Sequence, residues 1–97
     1  MKYESTPIDT LDVDLPCELH NQVELLAKNA HDLWERQRVE DGWMYGEYRD
    51  DSKKLHPCLI AYQELPEAEK EYDRLSALGT LQAILKLGFT INSPAVS

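Results

Sequence analysis

The stretch Asp41–Leu59, DGWMYGEYRDDSKKLHPCL, decides how the chain is read, because it sets Trp43, Tyr45 and Tyr48, two glycines and a dense run of charge between two helix-like segments. Rings this large in a connection are either buried under the fold or held out for a partner. The span from Gly42 to Tyr62 is also longer than compact domains usually leave without structure, which points to hidden order or to function. WMYG alternates in a strand-like way and CLIAY is a short apolar run behind Pro57, so the spacing predicts a small antiparallel hairpin with YRDDSKKLH at its tip.

Working outward, the segment before this stretch is a helix. From Cys17 to about Glu40, Leu19, Val23, Leu26, Ala30, Leu33 and Trp34 recur at steps of three and four, after Pro16 and up to Gly42. Trp34 falls on the apolar face with Leu26, Ala30 and Leu33, and is assigned to the core rather than to a site. The segment after it is a second helix opened by Pro66, with Glu67, Glu69 and Glu71 complementing the positive end of its dipole. Ala68, Tyr72, Leu75, Leu78, Leu81 and Leu85 follow the helical period, Gly79 weakens the middle by ~1 kcal/mol relative to alanine, and Gly88 suits the left-handed stop. FTINSPAVS then offers Phe89 and Ile91 to the core.

At the other end, residues 1–16 read as an extended arm with Leu11, Val13 and Leu15 on one face of a strand or edge segment that packs on the body. The fold class is therefore mainly α (small α+β), two long antiparallel helices with a short β-hairpin or extended loop between them and an extended N-terminal arm.

Composition excludes several classes. The chain has 97 residues and a net charge of −8, the wrong sign for a binder of nucleic acid polymers, which depends on lysine and arginine. No apolar run approaches a membrane span, and MKYESTPIDTLDVDLP lacks the basic and hydrophobic blocks of a signal peptide, so a cytoplasmic location with no membrane contact is expected. Cys17 and Cys58 have no CxxC spacing, and neither His31 nor His56 has a second ligand at metal spacing, so no metal site and no cofactor are expected. No nucleophile motif, phosphate-cradling glycine loop or evident carboxylate pair is visible, so no catalytic residue is assigned and an enzyme is not expected.

Charge is uneven along the chain. Residues 36–56 balance Arg36, Arg38, Arg49, Lys53 and Lys54 against an equal number of acids, which makes the middle the place for a small anion. Trp43 and Tyr45 share one face by the two-residue period, and that face either covers the helices or meets a flat ligand. Asp73 and Arg74 pair with the loop charges on this reading, and Glu67, Glu69 and Glu71 form a solvated helix face.

The run from Leu26 to Ile91 resembles the RyR domain, the repeat found in pairs in ryanodine receptors and as single copies in many bacterial proteins. Its landmarks stand in order: HDLW, GWMYG, RDD, HPCLIAY, LPEAEKEYDR and LGFTI. On this resemblance the chain divides into an arm (1–16), an RyR-like domain (17–92) and a flexible tail (93–97), and it looks like a single-repeat, bacterial-type member. The resemblance implies a non-enzymatic binding module, which in bacteria has been linked to sensing nucleotide-derived ligands. Trp43 and Tyr45 would then supply rings to a base, and Arg38, Arg49, Lys53, Lys54 and His56 charge to its phosphates. The alternative is a structural or protein-protein interaction module with no small-molecule ligand. Because receptor repeats pair, a homodimer bringing two copies of Trp43 together is a further expectation.

Overall fold

The computed structural model describes residues 3–93; the expected tail lies, beyond Ser93, outside the described residues. Two long helices dominate. A single turn, α1 (Cys17–His20), leads into α2 (Val23–Glu40), and α3 (Glu67–Lys86) follows the central segment. Contacts between the long helices run in opposite order: Leu19 and Gln22 share a groove with Ile91, Glu24 meets Arg74, and Trp34 lines a pocket with Glu69. That order is the antiparallel sense expected from the sequence.

The first helix is interrupted where one continuous element was expected. After Pro16 the chain makes one turn, and the Gln22 amide bonds the Leu19 carbonyl at 2.9 Å, an i to i−3 contact that tightens the backbone before α2 restarts. Both long helices stop where glycine permits. Gly42 has φ of +93° and Gly88 +99°, and in each case the next residue's amide reaches back five positions, Trp43 to the Arg38 carbonyl at 2.9 Å and Phe89 to that of Ile84 at 3.3 Å. These are Schellman stops, which satisfy carbonyls a helix end leaves unpaired.

The central stretch does form β structure, but it pairs differently from the expected hairpin. β1 (Met44–Tyr45) lies parallel to β2 (Leu55–His56), so Met44 faces Leu55 and Tyr45 faces His56. The strand expected in CLIAY is displaced to LH, and CLIAY runs on as the irregular segment that fills the core. The physical cause is the turn between. Asp50 Oδ1 accepts from Ser52 Oγ at 2.7 Å and from the Lys53 amide at 3.1 Å, and Lys54 takes a left-handed φ of 57°. This asparate-centred turn doubles the chain back so that Leu55 exchanges two 2.9 Å bonds with Asp50, antiparallel, while its other edge meets Met44. Parallel neighbours usually need a crossover of a dozen or more residues; here residues 46–54 suffice because they loop out and return. Gly46 allows it, since a Cβ there would stand 2.6 Å from the Leu55 Cβ.

The buried centre is small. Ala27, Tyr62 and Leu65 form it with Leu59, flanked by Cys58 and Ile60, and His31 is 4% exposed among them. Leu65 is held extended before Pro66, which closes the way for helix at that residue and caps α3. Phe89 is exposed rather than in the core, because the Gly88 stop turns it outward, whereas Ile91 is half-buried.

The arm is not a strand. Asp9 Oδ1 accepts from the Leu11 amide at 3.0 Å and the Val13 amide bonds the Thr10 carbonyl at 3.0 Å, a turn that breaks the alternation and leaves Leu11 97% exposed. It packs on α3 instead, with Asp12 meeting Lys86 Nζ at 2.9 Å and Pro7 and Ile8 facing Leu75, Gly79 and Ala83 across a groove. A Cβ on Gly79 would meet nothing within 4 Å. Gly79→Ala should therefore raise stability by about 1 kcal/mol, the helix-interior difference between the two residues. A urea midpoint unchanged or lowered at constant slope would contradict it.

Across the helix pair, Arg74 reaches Glu24 on α2 at 2.7 Å and Glu67 and Glu71 on its own helix at 3.0 and 3.3 Å. It does not pair with the loop charges. Tyr62 donates to Glu24 at 3.0 Å, so the buried ring is tied into the same cluster. The hydrogen bond from Arg74 holds Glu24 and Glu67 below their ordinary value of 4.5, and the one from Lys86 does the same for Asp12. Groups depressed in the folded state contribute stability that is complete above their unfolded values and lost as pH falls through the folded ones. Acid unfolding should therefore steepen below about pH 4.5, and Arg74→Met should flatten that limb by lowering the neutral plateau, so that variant and wild type converge in acid. A parallel acid limb in wild type and variant would refute the assignment.

Candidate functional site

Helical pitch places His31, Trp34 and Arg38 along one side of α2, and Glu69, Tyr72 and Asp73 along one side of α3. Between these rows, closed by His56 and Cys58 from the central segment and by Leu65, lies a pocket of about 250 Å³ lined by His31, Trp34, Glu69, Tyr72 and Asp73.

Two imidazoles fix its walls. His31 Nε2 is 2.8 Å from the Ile60 carbonyl oxygen, which only accepts, so this nitrogen carries the proton. The ring stacks on Trp34 with centroids 5.6 Å apart. His56 accepts from the Cys58 amide at Nδ1, 3.0 Å away, and meets Trp34 edge-on at 5.0 Å. Burial, then Arg49 and Arg38, push His56 below its ordinary 6.5, so it is neutral at physiological pH with its proton on Nε2. Burial, then Glu69 and Asp73, push the Cys58 thiol up, the opposite of an activated nucleophile. Burial also raises Asp73, against the pull of His31.

Arg38 stands at the edge of this arrangement. Its guanidinium carbon lies 4.8 Å from the Trp43 ring centre and 5.7 Å from that of Trp34, so the cation is spread over two indoles. No hydrogen-bonded carboxylate accompanies it among the described residues.

Of the residues singled out from the sequence, Arg38, Trp43 and His56 converge, with Trp43 and His56 ring centres 6.3 Å apart. Arg49 is held by Asp51 at 2.8 Å, though near enough to act on His56. Tyr45 is 57% exposed on β1 and Lys53 is exposed. Lys54 is spent on the fold, donating to the Asp41 carbonyl at 2.8 Å and capping the end of α2.

Sequence reasoning missed the centre. Trp34 was assigned to the core, yet Leu26 and Leu33 beside it are exposed and Trp34 is half-buried at the pocket. On the second helix, Glu69 is assigned by the sequence to a solvated face, Tyr72 to the apolar helical period and Asp73 to an ion pair with the loop. The usable signal was spacing: Arg38 follows Trp34 by four residues, which puts a cation over that ring. Comparison with known families bears on the same segments, since the family model described as RyR domain matches residues 3–93, arm included. The chain therefore belongs to the RyR domain family.

Proposed function

We propose that the chain is a non-enzymatic, cytoplasmic binding module, a repeat of the single-copy bacterial type, whose pocket receives part of a nucleotide-derived ligand. One observation carries the reading: Arg38 is stacked across Trp34 and Trp43 without a hydrogen-bonded acid, at the edge of a pocket walled by Trp34. A guanidinium held this way is preorganised for a phosphate, and an indole beside it for a flat ring. The pocket is below the roughly 300–1,000 Å³ that enclose whole drug-sized ligands, so it suits a base with sugar and phosphate left outside. Relative to the sequence reading, the base moves from Trp43 and Tyr45 to Trp34 and Tyr72, Arg38 keeps its role, and His56 changes from a charge for the phosphates to a neutral wall of the pocket. Cys17 and Cys58 are free thiols, which fits a reducing compartment, and no helix among the described residues is long and apolar enough to cross a membrane.

A thermal-shift screen of mono- and dinucleotides tests this. A ligand at a hundred times its Kd stabilises by about 2.7 kcal/mol, which is a shift of several degrees, and Arg38→Met should remove most of it. No shift from any nucleotide at millimolar concentration overturns the reading.

A second reading has its own observation. The chain exposes 7746 Å², whereas a compact monomer of 11.2 kDa exposes about 5,700 Å² by area-mass scaling. The extended arm carries part of the excess, and the rest includes apolar side chains uncovered on the long helices, Leu25, Leu33 and Val39 on α2 and Leu75 on α3, which a homodimer or another protein partner would cover. Light scattering after size exclusion, with and without nucleotide, decides it: a species of 11.2 kDa alone at micromolar concentration removes the dimer.

A further inference from the structure

Arg38 lies over Trp34, outside the lining of the pocket, whereas the lining itself carries two carboxylates, Glu69 and Asp73, and neither lysine nor arginine. An anion-binding group therefore sits beside a socket that repels anions. A ligand answering both needs an anionic end, a flat body and an edge rich in N–H donors.

From this arrangement we infer that the pocket selects guanine, with the base against Trp34, its donor edge on the Asp73 carboxylate and its phosphate towards Arg38. The inference rests on the nucleotide reading and says which base it takes. An ionised carboxylate only accepts hydrogen bonds. Guanine presents N1–H and the 2-amino group side by side, two donors at the spacing of two carboxylate oxygens, a planar bidentate match like that of arginine with a carboxylate. Adenine presents one donor beside a ring nitrogen whose lone pair would face a carboxylate oxygen. Hypoxanthine keeps N1–H and lacks the amino group.

Asp73 is the better placed of the two acids. It is half-buried where Glu69 is exposed, and the causes acting on its carboxyl are burial, His31 and Glu69, with no hydrogen bond among them. Its burial without a donor is a cost that two N–H groups would relieve. Glu69, one turn earlier on the same face, adds to the negative potential and accepts from any further donor.

Titrations of the intact chain with GMP, IMP and AMP, followed by tryptophan fluorescence, test the inference. GMP should bind at least about tenfold more tightly than AMP, with IMP between, since each hydrogen bond to a charged group left unmade costs of that order. Asp73→Asn, whose amide offers one donor and one acceptor, should shift the GMP-to-AMP ratio towards AMP by about tenfold or more; a melting curve checks its fold, and the wild-type series stands without it. AMP binding as tightly as GMP to wild type overturns the inference and leaves the nucleotide reading intact. Binding of N-acetylarginine amide without GMP overturns it in favour of a guanidinium-bearing protein partner. Absence of binding by all three nucleotides at millimolar concentration overturns both, and an unshifted ratio in a folded Asp73→Asn protein removes Asp73 from the site.

Discussion

His31→Ala should cost about 2–4 kcal/mol of stability, a large part of the roughly 5–15 kcal/mol available to a domain of this size. Two losses add. The Ile60 carbonyl forfeits the 2.8 Å bond from Nε2 in a part-buried setting, and an orphaned acceptor there costs about 1–3 kcal/mol. The ring itself is 4% exposed and packs on Trp34 and Tyr62, at 5.6 and 6.2 Å between centres, so its removal leaves a cavity where α2 meets the Cys58–Tyr62 segment. His31→Gln separates the two, because the amide can still donate towards Ile60 while the stacking is gone; it should recover part of the loss. Urea unfolding at constant slope reads both variants, and an alanine variant within about 0.5 kcal/mol of wild type, the range of ordinary surface changes, would show that the segment is held elsewhere.

That bond also shows where sequence reading stops. Gly42, Gly88 and Pro66 announce the helix ends because each answers a local backbone need, and the three- and four-residue spacing announces the helices between them. His31 is different. Its spacing places it one turn from Ala27, but nothing local says that a carbonyl twenty-nine residues later waits for it. The parallel pairing of Met44 with Leu55 was equally hidden, since it depends on a turn centred on the Asp50 side chain and on a left-handed Lys54, a residue type that carries no turn signal. At the site, the basic residues were visible as charges, but their placement was not: Lys54 caps a helix, Arg49 holds Asp51, and Arg38 lies over two indoles. The acids of α3 looked like a solvated face because periodicity gives a face and not what lies across from it. Trp34 was misplaced for the same reason, as the apolar stripe that carries it is only partly covered.

Trp34→Leu should weaken a nucleoside and its nucleotide alike, by about 5- to 150-fold, the worth of one stacked base at 1–3 kcal/mol. Leucine keeps apolar bulk beside His31, so the fold should persist with a loss of about 1–3 kcal/mol. Trp43→Leu makes the contrast. Trp43 is absent from the pocket lining, and its contact is with Arg38, at 4.8 Å. Removing it frees the guanidinium on one side, so the phosphate loses its preorganised partner while the base keeps its wall. The nucleotide should weaken towards the affinity of the nucleoside, and the nucleoside should be unchanged. The two variants thus distinguish the two tryptophans by phosphate dependence rather than by the size of the effect. If Trp43→Leu instead weakened the nucleoside and Trp34→Leu did not, the base would lie on the ring first read from GWMYG, and the pocket between α2 and α3 would be a structural recess whose lining serves the packing of the helices.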